Sequence, residues 1–208
     1  MSPTRAERAE ETRALVIETA ALAFAQHGYE RAALSEIASA SGLTKGALYH
    51  HFASKEELAL AVFRHEQETL VEQIVAATAG AKGALAALRA AFRVRAEVLR
   101  DVPAARAVLR LGAEFRVDAA PGSVFAEYQE LAFEAFAEIV RRGQEEGDVR
   151  ADLDPRATAE HIFAAMVGMD DVSTFLSDLD DLPQRTEGLL DLIVDGLATR
   201  TPAPRRTK

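Results

Sequence analysis

The chain contains no cysteine and no tryptophan among its 208 residues. Without cysteine there is no disulfide, no thiol nucleophile and no thiolate metal ligand, a usage that suits a reducing compartment. Glycine (12) and proline (7) are too few to break the chain often, whereas alanine, leucine, glutamate and arginine, all good helix formers, are plentiful. No sustained alternation of β-branched residues suggests a strand. No run reaches the roughly 18 uninterrupted apolar residues that a membrane span requires, and the polar start "MSPTRAERAEETR" lacks the apolar core of a signal peptide. The expectation is an all-α, cytoplasmic protein with no membrane partner.

Net charge is −9, which by itself disfavours nucleic acid. The charge is unevenly spread. Residues 1–55 hold six Lys/Arg and six acids, so the whole excess lies beyond them, where 27 acids face 18 basic residues. A neutral module can still bind DNA if its cations face one way.

Hydrophobic periodicity and cap signals predict about nine helices. The first spans about 9–26, with Val16, Ala20, Phe24 and His27 on one face and Gly28 placed for a left-handed C-cap. Two short helices follow at 34–40 and 45–51, broken at Ser41-Gly42. Ser54 with Glu57 forms a capping-box signature that opens a helix reaching about residue 77. Further helices are expected at 84–100, 103–115, 122–143, 155–178 and 183–199, with Asp154 as an N-cap and Pro155 at the first helical position. The Pro-rich, basic stretch 201–208 is expected to be disordered. The domain reading is 1–54, 55–200 and that tail.

The two short helices and their Gly-containing turn have the form of a helix-turn-helix, the unit that sets its second helix in the DNA major groove. Ile37, Ala38, Leu43 and Leu48 supply the apolar contacts. Thr44, Lys45, Ala47, Tyr49 and His50 then project outward. Lys45 adds a cation where the helix offers free N–H groups to phosphate, and Tyr49 can donate its hydroxyl to another. Lys55 stands at the start of the next helix, where a cation is unfavourable by a few tenths of a kcal/mol unless an anion lies near. Adjacent His50 and His51 point about 100° apart on a helix and cannot share one metal. His65 and His161 lack a second ligand nearby, so no metal is expected.

"GYERAALSEIASASGLTKGALYHHFASKEEL" (28–58) resembles the DNA-binding domain of the TetR family of bacterial transcriptional regulators. Gly28-Tyr29, Ile37-Ala38, Gly42-Leu43, Thr44-Lys45-Gly46, Leu48 to Phe52 and Lys55-Glu56 carry the match. The resemblance implies an all-helical homodimer with three N-terminal DNA-binding helices, a larger C-terminal ligand domain and a palindromic double-stranded operator. It implies Gly46 and His51 as further members of the DNA-facing set. The family often has Thr or Ser at the two positions before the second helix. Ala32-Ala33 stands there, so the phosphate contact passes to Ser35 or is lost. "VPAARAVLRLGAEF", "GDVRADLDP" and "MVGMDDVSTFL" resemble the γ-butyrolactone receptor branch, which implies a repressor released by a small apolar effector. Receptors of that branch commonly place a tryptophan where Tyr128 falls. Orphan relatives answer to antibiotics or other metabolites.

Leu109, with the aromatic and methionine residues Phe115, Tyr128, Phe163, Met166 and Met169 of the expected helices 6 to 8, is a candidate for lining an apolar effector cavity; any one of them taken singly is more often plain core. The last helix carries an apolar stripe that includes Leu189, Leu190, Ile193, Val194 and Leu197. The helix before it, with Ile162 and Phe175, is apolar nearly all round. Such a helix is either internal or faces a second protomer, and the resemblance favours a four-helix dimer seam. Asp170-Asp171 reads as a solvated or interface pair, and the four arginines of "RAAFRVRAEVLR" as a salt-bridged face. An all-helical enzyme would need a nucleophile, a base and an orienting partner at workable spacing, and no such set is evident. No catalytic residue or cofactor is expected.

Overall fold

The computed structural model describes residues 4–116 and 123–199. It is all-α: nine α-helices in the described residues, α1 (Arg5–Arg31), α2 (Leu34–Ala40), α3 (Lys45–His51), α4 (Lys55–Thr78), α5 (Ala84–Asp101), α6 (Arg106–Arg116), α7 (Val124–Glu146), α8 (Pro155–Ser177) and α9 (Leu182–Leu197), with a 3-10 turn at Pro103–Ala105 before α6. Pairing between extended segments is confined there to one isolated antiparallel bridge, Val149 with Ala198. The tail 201–208 lies outside the described residues.

Two compact units share these helices. The first comprises Met1–Glu72 with Val98–Tyr128, the second Gln73–Glu97 with Gln129–Lys208. Packing therefore does not divide the chain at residue 54. The first unit takes back a later segment because α6 lies along α1, burying Ala107, Val108 and Leu111 with Val16, Ala20 and Phe24.

In the first unit, α1 starts earlier than periodicity suggests. Thr4 and Glu7 form a reciprocal capping box, Glu7 N–H donating to Thr4 Oγ1 at 3.2 Å and Thr4 N–H to Glu7 Oε2 at 2.5 Å, which satisfies two otherwise orphan donors. Hydrogen bonding from Thr4, its backbone N–H first and its hydroxyl second, holds the Glu7 carboxyl below its ordinary range. Gly28 does not cap the helix in the left-handed region. It takes φ 74°, ψ 173°, a combination open essentially to glycine alone, and the helix resumes for one turn to Arg31. Across the α2–α3 turn, Gly42 at φ 70° lets Leu43 N–H reach Ala38 O at 2.8 Å and Gly42 N–H reach Ser39 O at 3.1 Å. This is the Schellman arrangement, which closes α2 and turns the chain into α3. Ser54 caps α4 through Glu57 N–H at 3.0 Å, but the Glu57 carboxylate reaches back to Ala53 N–H at 2.7 Å, one residue earlier than expected.

In the second unit the core gathers Leu88, Phe92, Val140, Val149, Ile162, Met166, Leu190 and Leu197. Asp154 caps α8 at Ala157 N–H (2.7 Å) with Pro155 at the first helical position, as its sequence predicts. Guanidinium–carboxylate pairs tie α5 to its neighbours: Arg89 to Asp191, Arg93 to Glu187 and Arg95 to Asp170. Asp170 is thus no solvated or interface residue. Its carboxylate is buried and takes both Arg95 nitrogens, at 2.9 and 2.6 Å.

Candidate nucleic-acid interface

α3 is a seven-residue helix with one buried anchor. Leu48 is fully buried and Phe52, its C-cap, is too, so the opposite face is turned outward. Thr44, Lys45, Gly46, Tyr49 and His50 are exposed there, while Ala47 and His51 are half-buried. Tyr49 leaves 45% of its surface to solvent despite being a large aromatic. Thr44 is the N-cap: its hydroxyl oxygen accepts from Ala47 N–H at 3.1 Å, which leaves the hydroxyl proton free to donate outward. The structure therefore gathers the predicted reading residues on one short element.

The flanking residues behave differently. Ser35 is exposed in the first turn of α2, and Ala33 caps that helix with no side-chain hydrogen bond. Lys55 is not a loose cation at a helix start. Its ammonium donates to Glu30 O at 3.0 Å and sits 4.7 Å from the centre of the Tyr29 ring. The cation is thereby held by the end of α1, with two of its three protons left for an anion. On α1, Arg13 lies over the Phe52 ring at 4.9 Å, whereas Arg5 and Arg8 are exposed.

The six cavity candidates fall into both units. In the first, Leu109 is half-buried on α6. Phe115 stacks on Phe125 at 5.1 Å, Phe125 lies 4.3 Å from Phe63, and Tyr128 meets Phe63 edge-on at 5.5 Å. Burial, with the Glu68 carboxylate beside it, pushes the Tyr128 phenol up from its ordinary value. In the second, Phe163 meets Phe133 edge-on at 5.1 Å, Met166 is buried among the core residues and Met169 is half-buried. Phe63 and Phe125 were not singled out from sequence. Phe125 stands three residues before Tyr128 in an expected helix, and that spacing was the available signal. Glu66 is a further surprise: a carboxylate on the buried face of α4, raised from its ordinary value by burial, with Glu18 raising it and His65 opposing.

The expected dimer residues divide. Ile162, Leu190 and Leu197 are buried in the chain's own core and offer no surface to a partner. That corrects the expectation for these three: on α8 and α9 alike, the apolar residues include an inward edge as well as an outward one. Leu189, Ile193 and Val194 are half-buried. The outward apolar residues are Phe175, 87% exposed, with Val172 and Leu176 on α8 and Leu192, 75% exposed, on α9. Leu192 was missed. It is flanked at i±4 by Gly188 and Gly196, and all three are exposed.

Among the described residues no cluster of His, Asp or Glu is arranged to hold a metal ion, and no helix is long and apolar enough to cross a membrane.

Comparison with known proteins bears on this geometry. The family model described as bacterial regulatory proteins, tetR family, matches residues 16–62. The A-factor receptor protein of Streptomyces griseus is 36% identical over 175 residues, covering 84% of this chain and 59% of that receptor's length. A probable acrEF/envCD operon repressor of Escherichia coli K12 is 30% identical over 200 residues, covering 92% of this chain and 88% of that protein. The crystal structure of a γ-butyrolactone receptor, an ArpA-like protein, superposes with a TM-score of 0.71 at 29% identity, over 96% of this chain and 93% of that one.

Proposed function

Because the chain belongs to the tetR family of bacterial regulatory proteins, we propose that it is a homodimeric repressor that binds a palindromic double-stranded operator and is released by a small apolar effector. The observation that carries this reading is the outward face of α3, where Thr44, Lys45, Gly46, Tyr49 and His50 stand exposed over a buried Leu48. Lys45 and Tyr49 meet phosphates, the Thr44 hydroxyl and the α3 N-terminus meet another, and His50 and Ala47 face base edges. His51, Ser35 and Lys55 stand at the flanks, Lys55 with the protons that Glu30 does not use. A two-fold operator reader needs two such helices about 34–36 Å apart. The exposed Phe175, Leu176 and Leu192 of α8 and α9, with half-buried Leu189, Ile193 and Val194, are the residues we assign to the surface through which two copies pair.

The effector class we assign is the γ-butyrolactones, on the strength of the A-factor receptor and the γ-butyrolactone receptor structure. Leu109, Phe115 and Tyr128, all in the first unit, are its proposed contacts, with Tyr128 in the place where the branch commonly has tryptophan; Phe163, Met166 and Met169 belong to the second unit. Effector and operator then lower each other's affinity by the same factor.

Fluorescence anisotropy tests the reading. A palindromic duplex selected from random DNA is titrated with protein, then with an acyl-bearing γ-butyrolactone. Saturable binding followed by release at sub-micromolar lactone is the expected result. Binding without release redirects the effector search to antibiotics and other metabolites, and failure to select any duplex overturns the repressor reading.

A further inference from the structure

The kink at Gly28 breaks a rung of α1. In an unbroken helix the Tyr29 N–H would donate to the carbonyl four residues back; with Gly28 at φ 74°, ψ 173° that bond is gone. The acceptor that replaces it comes from another helix. Glu114 of α6 takes the Tyr29 N–H on Oε2 at 3.0 Å, and the same oxygen lies 3.9 Å from where a Gly28 Cβ would be. A half-buried backbone donor without this partner would forfeit its hydrogen bond. The carboxylate therefore decides where the last turn of α1 sits.

Tyr29 is joined on three sides beyond that bond. Its ring meets Phe115 edge-on at 4.7 Å and Phe24 at 6.1 Å, and it carries the Lys55 ammonium on its face. The same ammonium bonds the carbonyl of Glu30, so the end of α1 and the start of α4 are held as one. Phe115 is the residue after Glu114, and it continues the ring contacts through Phe125 to Phe63 and Tyr128. A continuous run of touching rings thus leads from the proposed effector contact Tyr128 to the turn that feeds α2 and α3. All of it lies within the first compact unit.

We propose that Glu114 is a positioning residue: by holding the Tyr29 N–H it couples the ring cluster around Phe63 and Tyr128 to the DNA-reading helix. This rests on the reading of α3 as that helix and of the cluster as part of the effector site. Displacing the rings moves Phe115, and with it the carboxylate next door. The Tyr29 turn and Lys55 follow. Without the carboxylate, the Tyr29 turn follows the rings only through its contact with Phe115, and the response of the reading helix falls to what the shared core of Phe63, Leu48 and Phe52 passes on.

A mutant cycle read by amide hydrogen exchange on the full chain, without DNA or effector, tests the coupling. Phe125→Leu supplies the displacement, and the amides of residues 45–52 are the readout. In the wild-type background Phe125→Leu accelerates their exchange about tenfold, a coupling of ordinary size for residues in one contact network. In the Glu114→Ala background the same substitution changes it by less than about twofold. In the Glu114→Gln background the tenfold response returns, because the amide oxygen still accepts the Tyr29 N–H. A carboxylate that merely caps α1 would instead give additive effects, with the Phe125→Leu response undiminished by Glu114→Ala. That result, no response in the wild-type background, or loss of the response in Glu114→Gln overturns the proposal. If Phe125→Leu opens the whole unit, seen as equal acceleration across residues 58–63, Phe125→Met is the gentler displacement for the same cycle. Operator binding is measured separately by anisotropy, so a protein that binds no duplex sinks the repressor reading while the exchange cycle still decides the coupling.

Discussion

The two units hold their helices together by different chemistry. In the first, helices meet through rings and backbone caps: Tyr29 on Phe115, Phe63 on Phe125 and Tyr128, and Glu114 on the free N–H of a kinked helix. The second has ring contacts too, Phe92 with Phe136 and Phe133 with Phe163, but there α5 is also joined to α8 and α9 by three guanidinium–carboxylate pairs that range from open to solvent to buried. Ring contacts respond to shape and yield gradually when a ring shifts. A buried ion pair holds its geometry until one partner is lost, and then the loss is large. The ring joints around Tyr29 and Phe63 can thus be nudged, whereas α5 of the second unit is also pinned by the buried Arg95–Asp170 pair.

The sharpest way to break the comparison is at the buried pair. Asp170→Ala leaves the Arg95 guanidinium without its bidentate partner and should cost about 3–5 kcal/mol of stability, read by denaturant unfolding. Replacing both residues, Arg95→Met with Asp170→Leu, should restore most of that loss, since two apolar groups of similar volume remove both desolvated charges. If the single and double replacements are equally destabilising, the pair is not what holds α5 to α8. In the first unit, Phe63→Leu keeps an apolar side chain but ends two ring contacts. It should cost only about 1–2 kcal/mol.

Acid should separate the units with opposite signs. Asp181 accepts from the Ser173 and Ser177 hydroxyls and from Arg185, and these bonds lower its pKa to about 2. A depressed carboxyl adds stability above its unfolded value of about 4, and that stability is lost as pH falls towards 2. Glu66 runs the other way. Burial raises it, so its contribution is full below the unfolded value and is lost as pH rises through the folded one. Native-state exchange corrected for intrinsic rates should show the α1–α4 amides better protected at pH 5 than at pH 7. The α8–α9 turn should loosen only below about pH 4. Glu66→Gln should add on the order of 1 kcal/mol at neutral pH and flatten the first trend; Asp181→Asn should abolish the second. Two units that titrate in parallel would dissolve the distinction.

How much of this was legible in the sequence depended on whether the signal was local. The α2–turn–α3 unit was readable because its signals are local: Gly42 supplies the positive φ, Thr44 caps, and Leu48 is the one buried side chain within α3. Periodicity placed the long helices to within a few residues, and the start of α1 was late only because Thr4–Glu7 was not recognised as a box. The α8–α9 stripe was harder. On α8, apolar nearly all round, periodicity gives no phase, so buried Ile162 could not be told from exposed Phe175; on α9 the stripe did not separate buried Leu190 and Leu197 from half-buried Leu189 and Ile193. Lys55 looked free because its partners, Tyr29 and Glu30, lie 25 or more positions back in the chain. The Glu114–Tyr29 bond spans 85 positions, and no local pattern announces such a contact.

The smallest expected effect separates charges kept for a partner from charges used inside the fold. Lys45 is exposed on α3, and Arg93 is the exposed half of a pair with Glu187. Lys45→Ala should leave thermal stability unchanged and lower the slope of log affinity against log salt by roughly one, the share of a single phosphate contact. Arg93→Ala should do the reverse. It should cost no more than about 1 kcal/mol of stability, as exposed ion pairs do, and leave the salt slope of operator binding where it was. An unchanged slope in Lys45→Ala would remove that residue from the phosphate set. A slope that falls in Arg93→Ala would mean that DNA also meets the second unit, and the division of labour between ring-jointed reader and charge-jointed scaffold would have to be redrawn around α5.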